Sequence, residues 1–101
     1  MGDEQNNGYH FAWDATKAES NERNHDVRFE EARSVFRDPL AAYLTDESDS
    51  IEETRGVLIG MSDRSRLLFV SFTLRNDIVR IISARPATAK ERKKHEQTGF
   101  D

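Results

Sequence analysis

The chain has 101 residues, a formal net charge of −4 and no cysteine, which sizes it for one domain and removes disulfides, thiolate nucleophiles and cysteine-based zinc sites. Leu, Ile, Val and Phe supply 22 residues and charged residues make up 34%, so a small core is expected, and no stretch approaches the roughly 20 apolar residues of a membrane span. The charge is segregated: residues 1–63 carry 6 basic and 15 acidic side chains, whereas residues 64–94 carry 9 basic and 2 acidic. The cationic third can attract a polyanion although the whole chain is acidic, or the two halves can pair with each other.

Residues 1–8, polar and rich in Asn and Gly, read as a disordered tail ahead of a single domain over 9–98. The opening MGDEQNNGYH has neither the basic nor the apolar stretch of a secretory signal, which makes the cytoplasm the expected compartment. Tyr9–Trp13 alternates bulky and small side chains as a short strand does, and Asp14 is positioned to cap a helix from Ala15 to about Asn24. That helix has a poor apolar face and must lean on Phe11 and Trp13 for burial. Phe29, Ala32 and Phe36 recur at helical spacing behind Glu30 and Glu31, giving a second helix that Asp38-Pro39 ends.

Four extended segments follow, at about 40–46, 53–61, 65–73 and 78–85, and 13 of the 22 large aliphatic and Phe residues fall between Val57 and Ile82, so the core is mostly sheet. The polar connections at 46–50, 62–64 and 75–77 suit hairpin loops. Thr88 and Glu91 have capping-box spacing after Pro86, which starts a basic C-terminal helix running to about Gln97, with Gly99 just past its end. The order gives an α+β domain: an antiparallel four- to five-stranded sheet packed on one face by two N-terminal helices, with the other face left open. There is no Gly-rich phosphate loop, and His10, His25 and His95 lack metal-ligand spacing, so neither a metal nor another cofactor is expected.

Several segments together resemble a known family. The runs FAWDATKAESNERNHDVRFEEARSVFRDP, EETRGVLIGMSDRSRLLFVSFT and VRIISARPATAKER are similar to the BrnT ribonuclease toxins of bacterial toxin–antitoxin modules, over roughly residues 11–96. The resemblance implies a RelE-like fold and a small endoribonuclease that blocks translation by cutting RNA. It also implies neutralisation in a toxin–antitoxin hetero-oligomer, by a BrnA-like antitoxin whose DNA-binding domain represses the shared operon. The positions it carries over are Lys17 in WDATK, His25 in NERNH, Glu30 and Glu31 in FEEA, Arg55 in EETR, Arg66 in SDRSRLL, and Arg80, Ser83 and Arg85 in RIISAR. Three departures stand out. Asn24-His25-Asp26-Val27 replaces the usual KHGV, Arg28 sits where family members often carry a capping Ser, and His95 replaces a tyrosine.

Metal-independent cutting of RNA uses the neighbouring 2′-hydroxyl as nucleophile, so the protein must hold the phosphodiester in line, move protons and neutralise the charged transition state. Arginine suits the last task through its planar, permanently charged fork. The catalytic candidates are Arg80, His25, Arg55, Arg66 and His95, and the RNA-contact candidates are Lys17, Ser83 and Arg85. Each has a plainer alternative: Arg80 as a surface cation beside Asp77, His25 as a helix-end imidazole, Lys17 as a solvated lysine, Ser83 as a locally bonded strand hydroxyl. His95, with Lys90, Arg92, Lys93 and Lys94, can equally be a solvated helix or an antitoxin-docking surface. Glu30, Glu31 and Glu53 are helix-start or surface acids or else general bases, and Phe11 and Trp13 are core residues or base-stacking ones. A strict two-residue period sends Arg80 and Arg85 to opposite faces, so both reach one site only across a bulge. The rival to a full enzyme is a catalytically weak or inactive module of the same fold that binds RNA or the antitoxin.

Overall fold

The computed structural model describes residues 9–45 and 54–98; the expected tail at 1–8, the 46–50 connection, Glu53 and Gly99 lie outside them. Strand β1 (His10–Ala12) leads into helix α1 (Ala15–His25). The Asp14 carboxylate opens that helix by accepting the backbone N–H groups of Thr16 and Lys17 at 2.8 and 3.1 Å. It ends at Asp26 in the left-handed conformation, φ 58°. Helix α2 (Phe29–Ser34) follows, and Arg28 at its N-cap supplies no side-chain capping bond. The expected second helix stops short of Phe36: a 3-10 turn, Val35–Arg37, closes it ahead of Pro39.

Strands β2 (Ala42–Thr45), β3 (Thr54–Met61), β4 (Leu67–Arg75) and β5 (Ile78–Pro86) then form the sheet, and helix α3 (Ala89–Thr98) ends the described chain. The capping box forms as spaced: Glu91 accepts the Thr88 N–H at 2.9 Å and Thr88 Oγ1 accepts the Glu91 N–H at 3.2 Å.

The sheet order is β1-β5-β4-β3-β2. Strands β2 to β5 are antiparallel neighbours, but β1 pairs parallel to β5, with Phe11 opposite Val79. The expectation of a purely antiparallel sheet is therefore corrected to a mixed one. A hairpin joins β4 to β5 and forces them antiparallel, whereas the whole helical segment and three strands separate β1 from β5, a crossover long enough for parallel pairing.

One face of the sheet presents Leu68, Val70 and Phe72 from β4 and Val79, Ile81 and Ala84 from β5 to Val27, Phe29, Ala32 and Val35. Trp13 packs edge-on against Phe29 at 5.9 Å, and Phe36 links Phe11 and Phe72 at 5.1 Å to each, so Trp13 and Phe11 are core residues. The 3-10 turn crosses β3 at Gly60, where a Cβ would stand 2.9 Å from Val35 Cγ1 and 3.0 Å from Ala41 Cβ. On the opposite face Ala42, Ile59 and Leu67 form a smaller cluster with Val57, Phe69 and Ala87. The chain turns onto this second face at Ala87, and α3 covers its end beside β2 and β3. The helices thus do not all lie on one side, and among the described residues no helix covers the end of the second face around Arg55, Thr73 and Arg80.

Candidate functional site

A bulge decides which side chains share the uncovered face. Ser71 pairs with Ser83 and Phe72 with Ile81, so Ile82 is an extra residue in β5. Before it, Arg80 lies opposite Thr73; after it, Arg85 lies opposite Phe69. Both arginines therefore share the face away from the main core, along with Ser71, Ser83, Val57 and Arg55.

Helix α1 is fastened to the edge of β5 by the buried side chain of Asn21. Its Nδ2 donates to the carbonyls of Ala84 at 2.8 Å and Val27 at 2.9 Å, and its Oδ1 accepts the Ala84 N–H at 3.0 Å. The amide thus stands in for a neighbouring strand beyond the end of β1. Lys17 sits one turn earlier on the same helix face, which brings it beside Ile82.

Two cavities of about 290 Å³ each adjoin here and share Thr73. The first is lined by Lys17, Arg55, Val57, Ser71, Thr73 and Ile82 among others, and the second by Thr73, Arg75, Asn76, Ile78 and Arg80. Among the described residues, four cations and no carboxylate line the pair. Among the described residues neither Lys17 nor Arg80 has a side-chain hydrogen bond or ion pair, and both are exposed. Such a surface concentrates positive potential where an anion can approach.

The remaining sequence candidates are distributed differently. Arg85 forms a two-pronged pair with Glu91, both contacts at 2.9 Å, and its guanidinium lies 4.1 Å from the centre of the Phe69 ring; it ties the first turn of α3 to β5. The hydrogen bonds from Arg85 hold the Glu91 carboxyl below its ordinary range. Arg66 grips the buried carboxylate of Glu31 with two nitrogens, one at 3.0 Å from Oε2, and donates to the Asp26 carbonyl at 2.9 Å. Ser62 Oγ completes that cluster, 2.7 Å from Glu31 Oε2. Hydrogen bonding from Arg66 outweighs burial and lowers the Glu31 pKa. Glu31 is thus an internal anchor, while Glu30 is exposed on the first turn of α2.

Neither His25 nor His95 adjoins these cavities. His25 is the exposed last residue of α1, one turn beyond Asn21, while Arg80 lies four strand residues from Ala84 in the other direction. Those offsets amount to about 13 Å of strand and about 6 Å of helix. His95 Nε2 lies 3.1 Å from Asp38 Oδ2 with both side chains largely buried, at the end of the sheet where Asp38 also accepts the N–H groups of Met61 and Leu40. Burial pushes the Asp38 carboxyl up, but these amides and His95 together bring it below its ordinary value.

The histidine on the same face of the sheet is His10, which is likewise not among the residues lining either cavity. It pairs with Ile78, and strand alternation opposes it to Phe11, which faces the core. The alternation in YHFAW shows that His10 and Phe11 point apart, but not that β5 is the neighbouring strand. Arg75, Thr73 and Ser71 were also missed; nothing short of the β4–β5 register marks them.

A family model for a ribonuclease toxin, BrnT, of type II toxin–antitoxin systems matches residues 13–91. No curated relative matches the chain. No helix among the described residues is long and apolar enough to cross a membrane.

Proposed function

Because the chain belongs to the BrnT family of ribonuclease toxins from type II toxin–antitoxin systems, we propose that it cuts RNA on the uncovered cationic face, without a metal, by attack of the 2′-hydroxyl. One observation carries this reading: the two adjoining cavities, lined by four cations, Lys17, Arg55, Arg75 and Arg80, around Thr73. Such a donor set suits a phosphodiester, and among the described residues no group of three or more His, Asp or Glu could hold a divalent cation.

In the reaction the 2′-oxygen forms a bond to phosphorus as the bond to the 5′-oxygen breaks. One proton leaves the 2′-hydroxyl and one arrives on the 5′-oxygen, so the products are a 2′,3′-cyclic phosphate and a 5′-hydroxyl. Arg80 and Arg55 stabilise the extra negative charge on the non-bridging oxygens, a kind of contact worth about 3–4 kcal/mol for each well-aimed donor. Lys17 and Ser83 hold the adjacent backbone. His10, the imidazole on this face, accepts the 2′-hydroxyl proton. Arg66 and Arg85 serve the scaffold through Glu31 and Glu91, and we assign His25 and His95 no part in bond cleavage.

The same reading makes the domain RelE-like, the setting cytoplasmic, and the partner a BrnA-like antitoxin that occludes the RNA-cutting face and relieves translation inhibition. Expression in a bacterial host tests it: the wild-type chain arrests growth, and Arg80→Ala, with an unchanged circular dichroism spectrum, does not. Equal toxicity of the two would overturn the role given to Arg80.

A further inference from the structure

Ile82 is a residue whose position the core does not explain. It is the extra residue of the β5 bulge, belongs to neither buried cluster nor its packed surround, and is only half-buried. The bulge places it in the lining of the first cavity together with Val57, Lys17 and Arg55, with Arg75 and Arg80 beyond Thr73 in the second. An aliphatic side chain in the middle of a cationic face adds nothing to phosphate binding. It does match the flat, apolar face of a nucleobase, and about 290 Å³ lies at the small end of ligand-pocket volumes, the scale of a single ring system.

We propose that this cavity is a nucleobase subsite, in which one unpaired base of a single-stranded RNA lies against Ile82 and Val57. The phosphates on its two sides meet cations of the two cavities, Lys17 or Arg55 of the first and Arg75 or Arg80 of the second. The inference rests on the RNA-binding reading above and names the form of RNA it takes. A base can enter only when unstacked and splayed from its neighbours, which selects single strands and loops over A-form duplex. The hydroxyls of Ser71 and Thr73 beside it can each donate or accept, so the subsite takes any base rather than reading one.

The test is fluorescence anisotropy with two labelled, uncleavable strands of equal length, one a 2′-O-methyl oligoribonucleotide and the other its abasic counterpart, titrated with the wild-type chain, Ile82→Ala and Ile82→Leu. The expected result is that Ile82→Ala weakens binding of the base-bearing strand about tenfold, leaves the abasic strand unaffected and keeps the same salt slope, because no phosphate contact is lost. Ile82→Leu restores most of the affinity, which separates loss of the apolar surface from loss of the fold. Equal binding of the base-bearing strand by wild type and Ile82→Ala would overturn the subsite while leaving the cationic face intact. Failure of the wild type to bind either strand would overturn the RNA reading and the subsite with it.

Discussion

Replacing Asn21 by alanine removes three hydrogen bonds at once and strands three backbone groups in the interior: the N–H and carbonyl of Ala84 and the carbonyl of Val27. Each buried group left without a partner costs about 1–3 kcal/mol. Some relaxation will let a carbonyl keep a weak contact, so the loss should total about 3 kcal/mol, well above the ordinary single substitution. Urea unfolding followed by circular dichroism measures it as a lower midpoint at unchanged slope. Asn21→Asp should do still more harm, because its carboxylate can accept from Ala84 but faces two carbonyls it cannot donate to. Since Asn21 holds α1 along β5 with Lys17 one turn away, RNA affinity should fall in parallel. A loss below about 1 kcal/mol for Asn21→Ala would refute the idea that this amide acts as a substitute strand edge.

Acid should destabilise the fold through Glu31, Asp38 and Glu91, whose carboxyls lie below their ordinary values in the native state. Their contribution is complete above the unfolded carboxylate range near pH 4 and is lost as pH falls through the native values; a melting temperature that stays flat from neutral to strongly acidic pH would contradict it. Gly60→Ala should cost about 1–3 kcal/mol by overpacking, because its methyl meets Val35, Ala41 and Asp38 Oδ2 at 2.9–3.1 Å; an unchanged urea midpoint would show that the 3-10 turn yields freely. His10→Gln should lower the cleavage rate about 100-fold or more with little change in RNA affinity; an undiminished rate would take His10 out of proton transfer.

The elements were legible because local chemistry marks their ends. Asp14, Thr88 with Glu91, and Pro39 each satisfy or forbid backbone bonds within a few residues, and the aliphatic runs of β3 to β5 have no alternative to a sheet. The parallel placement of β1 was not legible, since a three-residue strand carries no signal for its partner's direction. The same holds for the site. Arg80 and Lys17 stand out as cations, but whether Arg80 and Arg85 share a face depends on one extra residue at Ile82, which no spacing rule reveals. Glu31 and Asp38 resembled helix-start and turn acids, and only tertiary packing brings Arg66 and His95 to them. The poor apolar face of α1 was visible in the sequence; that a polar residue, Asn21, compensates for it was not.

The central claim is that the uncovered cationic face cuts RNA through the substrate's own 2′-hydroxyl. Its most direct test is to incubate purified, antitoxin-free protein in excess EDTA with a labelled RNA, beside the same strand carrying a 2′-deoxy nucleotide at the cut site, using the wild-type chain and Arg80→Ala. Cutting of the all-ribose strand alone, with 2′,3′-cyclic phosphate ends, and a loss of about 100-fold or more for Arg80→Ala are expected. Cutting of the deoxy-substituted strand, dependence on added metal, or undiminished cutting by Arg80→Ala would contradict that claim.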